Sequence, residues 1–173
     1  YSPYCDKDMA DYKVFDGGDL EFPFGNTNKV LSIIEEYTDK VLADNKIPVM
    51  LGGEHLVTLG TMRAIVKKYP DVHVIHFDAH TDLRDDYCGE EYSHATVIKQ
   101  VYNLVGDNKI HQFGIRSGEK YEFEFAKNHT NLHKFDLKGF EKTVELLKGK
   151  PVYFTLDLDV LDPSIFCGTG TPE

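Results

Sequence analysis

One stretch constrains this chain more than any other: Val72–Asp82, which reads V-H-V-I-H-F-D-A-H-T-D. Its first half is apolar and β-branched, the pattern of a strand buried in a parallel sheet. Its second half sets Asp78, His80 and Asp82 at alternate positions. Alternate residues of an extended chain face the same way, about 6.6 Å apart for each step of two. Asp78 and Asp82 are then too far apart to share an ion on a straight strand. Either the chain curls at Asp78, or the three side chains serve more than one metal. In open α/β sheets chemistry collects at the carboxyl ends of strands, and this is such an end.

The 173 residues, 41% hydrophobic and 28% charged, suit a single soluble domain with a real core. No apolar run approaches the roughly 20 residues of a membrane span, and none of the chain reads as a signal peptide. It opens on Tyr1 and stops at Thr171-Pro172-Glu173 within a turn-like sequence, so it is expected to be an internal segment lacking N-terminal and C-terminal parts. The formal charge of -10 argues against a nucleic-acid partner and suits a protein that binds cations, whether metals or a cationic substrate. Cys5, Cys88 and Cys167 are far apart and form no C-x-x-C. They fit neither a disulfide framework nor a thiolate metal site, which points to a reducing cytoplasm.

Taken in order, Tyr1–Gly25 reads as a polar, aromatic loop with a short strand near Lys13–Phe15. Thr27 can cap a helix whose apolar face runs from Val30 to Leu42. Ile47–Leu51 reads as a short buried strand, followed by Gly52-Gly53-Glu54-His55 and a second helix to about Tyr69. Beyond the central strand and the charged loop Leu83–Ser93, a helix is expected through Val97, Ile98 and Val101. Strands then follow at Lys109–Ile115, Leu132–Phe135 and Pro151–Leu156, with helices at Glu119–Asn128 and Leu137–Lys148 between them. Strands alternating with helices imply an α/β fold, a mostly parallel sheet in a three-layer αβα arrangement.

Three strand ends carry candidate ligands: His55 after two glycines, the Asp78/His80/Asp82 group, and Asp157 with Asp159 in T-L-D-L-D-V-L-D-P. Each piece alone is weak, since D-x-D at a strand end is common and paired aspartates also cap turns. Together they converge on one edge of one sheet. Asp78, Asp82, Asp157 and Asp159 carry four negative charges, which two divalent ions would cancel. Without metal, such carboxylates repel one another and take up protons. Two imidazoles with several carboxylates and no thiolate favour Mn²⁺ over structural Zn²⁺, in a two-metal centre.

Several motifs make the chain recognisable along its whole length. G-G-E-H (Gly52–His55), F-D-A-H-T-D (Phe77–Asp82), S-H-A-T (Ser93–Thr96), F-G-I-R-S-G (Phe113–Gly118) and the final T-L-D-L-D-V-L-D-P with G-T-G-T-P-E resemble the ureohydrolases, the arginase and agmatinase family, and most of all its bacterial agmatinase branch. The resemblance implies an arginase-like fold, incomplete at both ends, and two Mn²⁺ per chain. It implies that His55, Asp78, Asp82 and Asp157 hold one ion, and that His80, Asp78, Asp157 and Asp159 hold the other. The implied reaction is hydrolysis of the guanidinium of agmatine to urea and putrescine by a hydroxide bridging the two ions. His94 would protonate the leaving amine, a role suited to an imidazole. Thr171 and Glu119 fall where family members line the substrate pocket.

The acidic loop after the central motif, with Asp85, Asp86, Glu90 and Glu91, is expected to favour a small guanidino substrate with a positive distal end. The alternatives are another ureohydrolase, acting on arginine, guanidinobutyrate or a formimino compound, or a metal-binding piece without turnover. A single-zinc deacetylase of related fold would not need both His55 and Asp159. Cys167 stands where the family usually carries proline, and the family's last strands lie beyond Glu173. A homo-oligomer, trimer or hexamer, is implied for the full-length protein. The remaining histidines, His73, His76, His111, His129 and His133, read as structural.

Overall fold

The computed structural model describes all residues from Tyr1 to Glu173. Its frame is a parallel sheet of β1 (His73–Phe77), β2 (Ile110–Ile115), β3 (Asn131–Lys134) and β4 (Val152–Leu156) in the order β3-β2-β1-β4. The helices are α1 (Thr27–Ala43), α2 (Val57–Lys68), α3 (Val97–Val105), α4 (Lys120–His129) and α5 (Phe140–Leu146). β1 is central because its side chains are apolar or paired on both faces, as the sequence pattern required. No helix is long and apolar enough to cross a membrane.

The two faces of the sheet are covered unequally. The main core joins Leu31 of α1, Leu59 and Met62 of α2, Val97, Ile98 and Val101 of α3 and Ala126 of α4 to Val74 and Ile110 of the sheet. On the other face α5 and the turn after it pack on Ile75 and Phe113, where Phe77 and Phe140 complete an aromatic cluster. β4 is an edge strand, and Val152, Phe154 and Leu156 on its α5 side remain exposed. The three-layer αβα expectation is met, with one layer thin.

Three local expectations change. Asn26, not Thr27, caps α1, its side chain accepting from the Lys29 N–H (3.0 Å). Lys13–Phe15 forms no strand, and Val14 and Phe15 lie exposed. Ile47–Leu51 also forms no strand: Ile47, Val49 and Leu51 are 89%, 83% and 95% exposed. Its alternation is real, but Pro48 and Met50 are the residues turned inward, with Met50 Sδ accepting from Thr61 Oγ1 (3.3 Å). A strand exists only through a neighbour that bonds it, and none lies alongside here.

Candidate metal centre

The register of β1 and β4 sets the geometry. Phe77 pairs with Leu156, so Asp78 and Asp157 leave the sheet side by side, and the Asp157 N–H donates to Phe77 O (2.8 Å). Beyond Phe77 the chain curls, one of the two ways open to carboxylates at that spacing, and Asp82 takes a left-handed conformation (φ 52°). Glu122 of α4, buried, holds that curl: Thr81 Oγ1 (2.6 Å) and the Leu83 N–H (3.0 Å) both donate to its Oε1. The β4 end enters the short turn Leu158–Val160, capped by Asp157, which accepts from the Asp159 N–H (3.0 Å). His55 arrives from the loop before α2, where a Cβ on Gly52 would come within 2.8 Å of Val57. Its Nε2 sits 3.2 Å from Thr155 Oγ1 of β4.

These turns bring the predicted ligands together. His55 Nδ1 lies 3.2 Å from Asp78 Oδ2, 3.0 Å from Asp82 Oδ2 and 3.5 Å from Asp157 Oδ2. His80 Nδ1 lies 3.0 Å from Asp159 Oδ2 and 3.4 Å from Asp78 Oδ1. Asp159 is further anchored by the Ala79 N–H on its Oδ1 (3.0 Å). Two groups have ligand atoms within 4.8 Å of one another: His55, His76, Asp78 and Asp82, and Asp78, His80 and Asp159. Asp78 belongs to both. The donor set fits divalent cations for a geometric reason. His55 Nδ1 is buried and ringed by three carboxylates, yet is aligned for a hydrogen bond with none of them. That is the disposition of ligand atoms around a common point.

The electrostatics agree. Burial, reinforced by the charge of Asp78, pushes the Asp82 carboxyl up to about 6, and burial likewise raises Asp157 beside Asp78 and Asp159. Burial would raise Asp78 too, but the imidazoles of His76, His55 and His80 around it hold it well below the usual carboxylate range. Asp159 and Asp78 lift His80 to about 10. Protons on imidazoles thus stand in for missing positive charge, and a cation binding here would displace them.

The other predicted residues lie differently. His94 begins the short turn His94–Thr96, half exposed, with Nδ1 3.7 Å from Glu54 Oε1 and its ring against Tyr87. It flanks the His55 loop without touching the ligand cluster. Thr171 does reach the cluster, its Oγ1 3.5 Å from Asp159 Oδ2. Glu119 caps α4 and faces Arg84 (3.4 Å), so it touches none of the ligands. In the acidic loop Asp85 is paired with Lys99 (3.0 Å), while Asp86 and Glu90 remain exposed.

Sequence reasoning set His76 aside as structural, but its Nε2 is 2.8 Å from Asp78 Oδ2, and Gln112 Nε2 donates to its Nδ1 (3.2 Å). Thr130 Oγ1 in turn donates to Gln112 Oε1 (3.0 Å), so a buried relay from the β3 side of the sheet orients Asp78. Period two was the available signal, since His76 and Asp78 share one face of the extended chain. Glu122 left no such trace beyond its place in the capping box that opens α4.

The arginase family model matches residues 1–173. The chain belongs to the arginase family. Agmatinase of Bacillus subtilis is 51% identical over 175 residues, a match that takes in 100% of this family member and 60% of that relative. A crystal structure from Clostridium difficile, described as a candidate agmatinase, superposes with a TM-score of 0.97 at 55% identity, over 100% of this chain and 63% of that one. An arginase structure from Bacillus subtilis gives a TM-score of 0.80 at 27% identity, over 95% of this chain and 68% of that one. This arginase-family chain therefore spans about 60% of the length of the curated relatives it matches.

Proposed function

We propose that this chain carries the metal-binding part of an agmatinase, which hydrolyses the guanidinium of agmatine to urea and putrescine with two Mn²⁺. The carrying observation is the convergence of His55, His80, Asp78, Asp82, Asp157 and Asp159 around shared points at the ends of β1 and β4. In this reading His55, Asp78, Asp82 and Asp157 hold one ion and His80, Asp78, Asp157 and Asp159 the other. Cations in such a donor set would cancel the carboxylate charge and acidify water, which is the chemistry that attack on a guanidinium carbon needs.

The chain's own residues do the rest. Asp78 and Asp157, side by side at the sheet edge, fix the spacing of the two positions. His94, half exposed beside Glu54, is assigned the proton for the departing amine. Asp86 and Glu90, exposed in the acidic loop, are assigned to a distal ammonium group, and a distal α-carboxylate would meet repulsion there. Thr171, beside Asp159, is assigned to the pocket wall. Glu119 holds a weaker claim to that wall because Arg84 and the α4 cap already engage it.

The test is urea release from agmatine and from arginine by the full-length protein with added Mn²⁺. Urea from agmatine, reduced by at least about a hundredfold in kcat by His94→Ala, is the expected result for a general acid. A preference for arginine would overturn the substrate assignment and place the protein with the arginases. A protein that binds no Mn²⁺ and releases no urea would overturn the reading altogether.

A further inference from the structure

The F-G-I-R-S-G stretch at the end of β2 contributes no ligand atom to the cluster, yet it touches both ligand-bearing turns. On the β1 side its contacts are through backbone. The Arg116 and Ser117 N–H groups donate to Ala79 O (2.8 and 2.9 Å), and the Thr81 N–H donates to Ser117 O (3.1 Å). On the β4 side they are through the Arg116 side chain. Its Nη2 donates to Asp159 O (2.8 Å) and Leu161 O (3.4 Å), and its Nη1 to Val160 O and Gly114 O (both 3.2 Å). Nε and Nη2 also reach Glu173 O (3.3 and 3.2 Å). Val160 lies so close over Gly114 that a Cβ there would come within 2.5 Å of it, at a φ of +86° that favours glycine.

We propose that Arg116 is a positioning residue of the metal centre, holding the Asp78–Asp82 curl and the Asp157–Leu161 turn at one fixed separation. Leu158–Val160 is a single 3₁₀ turn, too short to bond its own following carbonyls. A guanidinium offers five N–H donors in a rigid plane, and here it answers the carbonyls of three consecutive residues. Its partners on Gly114, Asp159, Val160 and Leu161 are all carbonyl oxygens rather than carboxylates. The group is engaged in holding backbone, and no salt bridge pulls it elsewhere. Asp159 is held doubly, its carbonyl by Arg116 and its carboxylate by the N–H of Ala79, the residue whose carbonyl Arg116 also binds. A shift of the turn would therefore be felt first by the ion position that Asp159 and His80 supply.

This inference rests on the two-metal reading above, and one experiment separates the two. Full-length protein, stripped of metal, is titrated with Mn²⁺ in a calorimeter as wild type, Arg116→Ala and Arg116→Lys, with circular-dichroism melts alongside. Two ions are expected in the wild type. Arg116→Ala is expected to weaken one of them by about tenfold or more, the range typical of residues that orient metal ligands, while the other stays near its wild-type affinity. Arg116→Lys, with one nitrogen where three carbonyls must be spanned, is expected to weaken the same ion by a smaller factor. Methylguanidinium in the buffer should restore the alanine variant. Two wild-type affinities in both variants would overturn the inference. So would loss of both ions together with the folded signal in both variants, which would assign Arg116 to general stability. A wild type that binds no Mn²⁺ would remove the metal reading itself.

Discussion

At the residue scale the centre depends on groups that hold ligands as much as on the ligands. Asp78 is the clearest case: it has His76 on one side, His55 and His80 on the other, and burial all round. With Gln112 donating to Nδ1, His76 must carry its proton on Nε2 and donate it to Asp78 Oδ2. Removing that donor leaves a buried carboxylate free to rotate away from the point it shares with His55 and Asp82. His76→Ala is expected to lower Mn²⁺ affinity about 10–100-fold without changing the number of ions bound, as read by calorimetric titration of the full-length protein. An unchanged affinity would make His76 a core residue only. The aspartates were legible as ligands because their spacing is printed in the chain. His76 was not, because a histidine inside a strand looks the same whether it fills a core or braces a carboxylate.

At the scale of elements, the end of the sheet opposite the metal centre has its own histidine pair. His73 at the start of β1 and His111 of β2 face each other with Nδ1 and Nε2 3.2 Å apart, and Lys150 Nζ lies 3.3 Å from His73 Nε2. The ammonium can only donate, so His73 accepts on Nε2 and donates from Nδ1 to His111. A proton added to His111 would set N–H against N–H. Burial, then the charges of His73, His133 and Lys150, push His111 down to about 4, and burial followed by Lys150 lowers His73. Above the ordinary imidazole value of about 6.5 both folded and unfolded chains are neutral here, and the pair has no effect on stability. Between there and about 4 the unfolded chain takes up protons that the fold refuses, so stability falls with pH, by about 1.4 kcal/mol per pH unit for one proton. Asp82 and Asp157, raised by burial, act with the opposite sign over the same range, so the pair is read as a difference: metal-free wild type melted at pH 7, 6 and 5 should lose more stability, or gain less, than His111→Gln. An equal slope in both proteins would exclude the pair as its source.

The same scale shows what a sequence can reveal about elements. The β-branched run of β1 and the apolar spacing of α1 each predicted an element that the fold contains, because both bury against segments of this chain. Ile47–Leu51 has equally strand-like residues, yet lacks a bonded neighbour, and composition cannot say who sits beside a strand. The curl after Asp78 was legible as one of two ways to bring widely spaced carboxylates to an ion. Glu122 and Arg116, which fix it, were not, since each acts across contacts that local spacing does not encode.

At the scale of the whole molecule, the cluster is assembled from chain segments that lie far apart. His55 meets Thr155 across 100 positions, and Ala79 meets Asp159 across 80. The parallel sheet must be paired, β4 against β1, before Asp157 and Asp159 stand next to Asp78. Closing such long loops is paid in entropy ahead of any reward from the contacts, which makes these among the slow steps of folding. An ion therefore has no partner to grasp until the sheet is nearly complete. Added Mn²⁺ is expected to slow unfolding of the full-length protein while leaving its refolding rate in denaturant jumps almost unchanged, the behaviour of an interaction absent from the transition state. Refolding that quickens in step with Mn²⁺ would mean that the ligands gather early. On the expected order of events the metal acts as a late lock: it sets how long the finished molecule lasts and leaves how quickly it forms to the chain.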